Sequence, residues 1–259
     1  MEDGPPATQS SRREHELITE SRTDEGILTV TIDNPTKANS LSADMLERLV
    51  AAFTAASSDP SLRAVLLTAA GNRGFSAGMD TAQFEHSSST RAYETISLLG
   101  RVCEAIKDCD VPVAAAIRGY CVGGALEIAA AADFRVGGVS SWYSMPEVRI
   151  GIPSVLDAAN LHRVMGWTKA SELILTANRF SAEDMDKCGF LNALVEDAEV
   201  EERALGYLRD TMESDRAVIA QQKRLFRTWK NSFEREAIAD SKKEFALAFA
   251  RKSDPGTEE

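Results

Sequence analysis

Apolar and polar positions along this chain follow two different periods, and the switches between them mark out its elements. The run Gly26-Ile27-Leu28-Thr29-Val30-Thr31-Ile32 is rich in β-branched residues and predicts a strand, with a shorter one over Leu17 to Glu20. Asp24-Glu25-Gly26 between them is hairpin material, and Asn34-Pro35 stops the second strand. The period then changes: Met45, Leu46, Leu49, Val50 and Phe53 recur at helical spacing behind Ser42, a plausible N-cap, and Asp59-Pro60 closes that helix. Ala64-Val65-Leu66-Leu67-Thr68 and Pro112-Val113-Ala114-Ala115-Ala116-Ile117 are unbroken apolar runs of the kind buried on both faces in a parallel sheet. Helical periodicity from Tyr93 through Ile106 lies between them, so the progression is that of an α/β fold with right-handed crossovers.

Beyond Glu147 the pattern is mainly helical. Leu156 to Val164, Thr168 to Thr176, Ser181 to Lys187, Val200 to Met212 and the charged stretch from Arg216 to Arg251 are the predicted helices. Ser181-Ala182-Glu183-Asp184 reads as an N-cap with acids in the first turn. The last stretch carries Phe226, Trp229, Phe233, Phe245 and Phe249, too many aromatics for a freely solvated tail, and is expected to pack on the main body or on another subunit. The expected organisation is a disordered N-terminal arm over 1–14, a core over 15–198 and a helical region over 199–259. No internal sequence repeat is visible.

Composition narrows the function classes. The 259 residues are 44% apolar and 27% charged, the balance of a globular chain, with a formal charge of -11. That acidity argues against a nucleic-acid or anionic-membrane partner, because such binding is driven by clustered Lys and Arg. Cys103, Cys109, Cys121 and Cys188 show no metal-binding or redox spacing, so no metal site is expected. No window of about 18 apolar residues is long enough for a membrane span. The first residues lack the basic and apolar character of a leader, and a cytoplasmic location is the expectation.

The candidate chemistry centres on Gly123-Gly124-Ala125-Leu126-Glu127, a tight turn feeding an alanine-rich helix. Amides at a helix start have no intrahelical acceptor and favour negative charge placed before them. Glu127 sits in the first turn, and a second acid, Glu147, follows a proline in Met145-Pro146-Glu147. Either acid alone has an ordinary reading, as a helix-stabilising charge or a loop acid near Arg149. A second loop, Ser76-Ala77-Gly78-Met79-Asp80, follows another buried strand. Carboxyl ends of parallel strands share one edge, so the two loops can aim two backbone donors at one oxygen. The same loop also spells Gly74-Phe75-Ser76-Ala77-Gly78, the pattern of a serine hydrolase, with His162 and either Asp133 or Asp157 as its partners.

Taken together, Asn34-Pro35 with Asn39-Ser40-Leu41, Phe75 to Asp80, Gly119 to Glu127, Met145-Pro146-Glu147 and Gly151-Ile152-Pro153 closely resemble the crotonase, or enoyl-CoA hydratase/isomerase, superfamily. The resemblance runs from about Leu17 to about Asp254. It implies a spiral of repeated ββα turns ending in a helical trimerisation region, assembled as a trimer or hexamer. It implies Met79 and Gly124 as donors to a thioester oxygen, Glu127 and Glu147 as the acids, and coenzyme A contacts from Lys37, Ala38, Ala77, Asp80, Lys223 and Phe245. The implied ligand is an acyl-CoA, with no cofactor beyond the coenzyme A of the substrate itself. Both acids of the hydratase pair are present, so hydration of a 2-enoyl thioester is the leading expectation. Positional isomerisation of an enoyl-CoA and a non-catalytic acyl-CoA-binding role are the alternatives. One departure stands out: the glycine-rich stretch usual after the Pro153 position is replaced by Ser154-Val155-Leu156-Asp157, which is expected to reshape the acyl pocket.

Overall fold

The structure is a computed structural model that describes residues 17–84 and 88–232. In chain order the elements are β1 (Ile18–Arg22), β2 (Ile27–Ile32), α1 (Ala43–Ser58), β3 (Ala64–Ala69), β4 (Gly74–Ser76), α2 (Ser89–Asp108), β5 (Val113–Ile117), β6 (Tyr120–Val122) and α3 (Gly124–Ala131). These are followed by β7 (Phe134–Gly138), β8 (Trp142–Ser144), α4 (Leu161–Met165), α5 (Trp167–Thr176), β9 (Phe180–Ser181), α6 (Ala182–Lys187), β10 (Ala193–Val195), α7 (Val200–Met212) and α8 (Arg216–Asn231). Short 3-10 turns cover Pro35–Lys37, Glu147–Ile150 and Leu156–Asn160.

Two sheets share the work. The larger runs β1-β2-β3-β5-β7-β10, and the smaller runs β4-β6-β8-β9. Apart from the β1–β2 and β8–β9 pairs, all neighbours are parallel. Each of β3-β4, β5-β6 and β7-β8 places its first strand in the large sheet and its second in the small one, and α2 and α3 complete the first two of these turns. The chain thus spirals, one ββα turn stacked on the next, without a sequence repeat to announce it. What recurs is the burial pattern, since Ala-Val-Leu-Leu-Thr-Ala in β3 and Val-Ala-Ala-Ala-Ile in β5 are both wholly buried.

Alternation along the large sheet assigns its faces. Leu28, Val30, Val65, Leu67, Val113, Ala115 and Ile117 point into the main core with α1, α2 and α3, while Ile27, Ala64, Leu66, Ala114, Ala116 and Val136 pack against Val200, Ala204 and Leu208 of α7. Ser42 caps α1 by accepting the Met45 amide, as its sequence position predicts. Ser181 and Asp184 form a reciprocal capping box at α6. The short strands β4, β6, β7, β8, β9 and β10 were not separately predicted. At two to five residues each, they carry too little periodicity to register. The expected arm at 1–14 and the chain beyond residue 232 lie outside the described residues.

Candidate active site

The site forms where β4 and β6 end side by side. Their parallel pairing, Gly74 with Tyr120 and Ser76 with Cys121, brings the loop after β4 against the turn after β6. Asn39 locks the approach from a third direction. Its amide donates to the carbonyls of Ala70 and Gly74, and its side-chain oxygen accepts the Asn34 amide. Ser76 Oγ donates to the Asn39 carbonyl at 2.7 Å and accepts the Gly78 N–H at 3.1 Å. Gly78 has φ +87°, and a Cβ there would lie 2.6 Å from the Val122 carbonyl and 3.3 Å from the Gly124 nitrogen. Only a glycine lets the two loops close to this distance.

Among the described residues, the closure leaves two amides with nothing to donate to. In the bridge between Leu41 and Met79, Leu41 donates to the Gly78 carbonyl and accepts from Asp80, so the Met79 N–H is passed over. Gly124 is the first residue of α3, and its N–H precedes any intrahelical acceptor. Among the described residues neither amide has an acceptor. They are neighbours, since a Cβ on Gly124 would come within 3.3 Å of Met79 Cγ. Two adjacent donors, one backed by a helix start, form a receptacle for a negatively charged oxygen.

Both acids stand beside it. Gly123 adopts φ 56° and ψ -126°, and a Cβ there would sit 2.7 Å from Glu147 Oε1, so the Glu147 carboxylate lies directly over the turn that presents the Gly124 amide. Ser154 Oγ donates to Glu147 Oε2 at 3.2 Å. Burial raises the Glu147 pKa above the usual carboxylate range. Glu127 is 3% exposed, and its Oε2 accepts the Ala158 amide at 3.2 Å. Its pKa is pushed up to about 8, first by burial and then by the negative charges of Glu147 and Asp157, against the lowering effect of the Ala158 amide. Two adjacent carboxyl groups, both raised above their ordinary values by burial, are suited to moving protons on and off carbon and water.

Of the remaining expected residues, Lys37 and Ala77 are exposed, and the Ala77 N–H donates to the Ala38 carbonyl at 3.0 Å, which draws the Lys37–Ala38 loop and the Ala77 loop together. Asp80 closes the same loop through its amide, bonded to the Leu41 carbonyl. Lys223 behaves differently. It is 5% exposed, and its Nζ donates to the Val111 carbonyl at 3.0 Å and pairs with Asp133 at 2.5 Å, tying α8 to the start of β5 rather than facing solvent. Phe245 lies outside the described residues. The serine-hydrolase alternative finds no support: the Ser76 hydroxyl is wholly buried and donates to a carbonyl, Asp133 and Asp157 are paired with lysines, and His162 packs edge-on to Trp167. Sequence reasoning missed Ser154, the Ala158 amide and Lys107 as supports of the acids. The sequence signal for them is the stretch Ser154 to Asp157, which by itself implies only a change in pocket shape.

Comparison with known proteins supplies the family. Residues 22–255 match the enoyl-CoA hydratase/isomerase family. The chain is 31% identical over 178 residues to a crotonyl-CoA hydratase of Syntrophomonas wolfei, covering 68% of each protein. It is 30% identical over 246 residues to a carnitinyl-CoA dehydratase of Shigella flexneri, covering 88% of this chain and 94% of that one. The structure superposes on a crystal structure of an enoyl-CoA hydratase from Mycobacterium smegmatis with a TM-score of 0.86 at 26% identity, covering 93% of both chains. This chain, with its crotonase-type spiral, belongs to the enoyl-CoA hydratase/isomerase family.

Proposed function

We propose that this hydratase-type enzyme catalyses the syn addition of water to a 2-enoyl-CoA thioester, or the reverse dehydration. The observation that carries the reading is the juxtaposition of the unengaged Met79 and Gly124 amides with Glu127 and Glu147 at one sheet edge. In this reading the thioester carbonyl accepts from both amides, which stabilises the enolate-like charge that builds as water adds at the β-carbon. Glu127 in its carboxylate form holds the water and takes its proton. Glu147 in its acid form delivers a proton to the α-carbon. The coenzyme A moiety would run along the loops of Lys37, Ala38, Ala77 and Asp80, and this chemistry asks only for main-chain donors and carboxyl groups. Assembly into a trimer or hexamer is part of the proposal, supported by Phe226 and Trp229, which stand 42% and 46% exposed and 5.5 Å apart on α8.

The test is loss of the ultraviolet enoyl-thioester band on mixing with crotonyl-CoA and with a panel of branched and aromatic 2-enoyl-CoA thioesters. Hydration of at least one, reduced roughly 10²–10⁴-fold in kcat by Glu127→Gln and by Glu147→Gln in folded protein, is the expected result. Isomerisation of a 3-enoyl-CoA without gain of water would overturn it in favour of the isomerase. No reaction with any of the thioesters would overturn it in favour of a binding role.

A further inference from the structure

The turn over Leu156–Asn160 is fixed to α2 at two points. Leu156 has φ +51°, an uncommon conformation for a branched side chain, and its Cδ2 packs where a Cβ on Gly100 would lie 3.2 Å away. Seven residues along the same face of α2, Lys107 Nζ donates to Asp157 at 2.8 and 3.0 Å, reaching both carboxylate oxygens. Asn160 Nδ2 adds a third hydrogen bond, to Asp157 Oδ1 at 2.9 Å. Asp157 is 5% exposed. Its carboxylate faces α2, while its own amide and that of Ala158 face the Glu127 carboxylate. One turn therefore carries a negative charge toward Lys107 and two amides toward Glu127.

Resting on the functional reading above for its catalytic meaning, we propose that Lys107 and Asp157 are a positioning pair: they clamp the turn whose amides hold Glu127 and set the net charge behind it. An isolated carboxylate at Asp157 would repel charge from Glu127, and an isolated ammonium at Lys107 would draw charge onto it. Held together, the ammonium offsets part of the carboxylate's effect, and what remains of the Asp157 charge still raises Glu127. The other groups around Glu127 do not duplicate the pair. Glu147 is the partner acid across the site, and Cys103 of α2 is a neutral thiol whose pKa burial raises further. Arg149 donates to the Thr176 carbonyl, Arg163 of α4 to the Lys230 carbonyl, and His162 sits against Trp167. On its outer side Lys107 borders a cavity of about 320 Å³ shared with Glu104, Asp108, Arg227 and Lys230. The Lys107 carbonyl accepts from Arg227 there, at 3.2 Å.

The pair makes a signed prediction that a purely structural role would not. The side-chain carboxyl of Glu127 is followed by ¹³C NMR in uniformly glutamate-labelled protein, its resonance identified by its loss in Glu127→Gln. Asp157→Asn removes the negative charge and leaves Lys107, so the Glu127 titration midpoint falls by roughly one unit or more. Lys107→Gln keeps hydrogen-bond donors for Asp157 but removes the positive charge that offsets it, so the midpoint rises. Lys107→Arg keeps the charge and leaves the midpoint in place. Shifts in the same direction for Asp157→Asn and Lys107→Gln, no shift in either, or a shift in Lys107→Arg matching that of Lys107→Gln would overturn the proposal. Because the resonance is read without turnover, absence of thioester hydration would defeat the functional reading alone. Where hydration is present, the pH limb of kcat/KM follows the resonance.

Discussion

Glu147 Oε1 occupies the space that any side chain on Gly123 would need: a Cβ there would lie 2.7 Å from it. The turn that exposes the Gly124 amide and the carboxylate above that turn are therefore built as one unit, and Gly123 serves both. Its φ of 56° with ψ of -126° is a conformation open essentially to glycine. Gly123→Ala is expected to cost about 1–3 kcal/mol of stability from the backbone alone and to displace Glu147, so that activity falls further than stability does. Urea unfolding alongside kcat/KM separates the two effects.

Ser154 donates to the other oxygen of the same carboxylate, and that hydrogen bond favours its charged form. Ser154→Ala removes it, and the Glu147 pKa, already raised by burial, is expected to rise further. If Glu147 acts as the acid, the alkaline limb of kcat/KM moves to higher pH. A limb that stays in place would separate Glu147 from the proton transfer.

The burial of Glu127 has a consequence for stability with a definite sign. Its pKa rises from 4.5 to about 8 on folding, so between those values the native state holds a proton that the unfolded chain has released. Stability therefore falls as pH rises through that window and levels off above about 8. Glu127→Gln removes the titration while keeping an acceptor for the Ala158 amide. The variant is expected to be more stable than the parent by a few kcal/mol at pH 8.5 and by little at pH 5. Denaturant midpoints at the two pH values check this, and an equal gain at both would show that Glu127 is not a buried titrating acid.

Lys223 and Asp133 form a largely buried ion pair, 6% and 25% exposed at their side chains, and Asp133 also accepts the Val113 amide. Asp133→Ala strands the ammonium in a low-dielectric site and is expected to cost roughly 3 kcal/mol, the lower end for such a break because the acid keeps some contact with solvent. Adding Lys223→Met should recover part of that loss, since the unpaired charge disappears with it. Thermal or denaturant unfolding of the two singles and the double gives the coupling.

What the sequence determined by itself was whatever rests on local pattern. The long helices α1 and α2 and the strands β3 and β5 follow from apolar spacing, and the Gly123-Gly124 turn with Glu127 and Glu147 was legible as candidate chemistry because glycine, helix start and acid are adjacent in the chain. The small sheet was not legible, because strands of two or three residues exist only through their neighbours on the spiral. Nor were the supports of the acids. Ser154 reaches Glu147 across a turn, and Lys107 reaches Asp157 across 50 residues of chain. The tertiary structure alone decided the protonation of the site: burial behind α2 and the Leu156–Asn160 turn raises Glu127, and desolvation is a property of what surrounds a residue, which residue type and spacing do not carry.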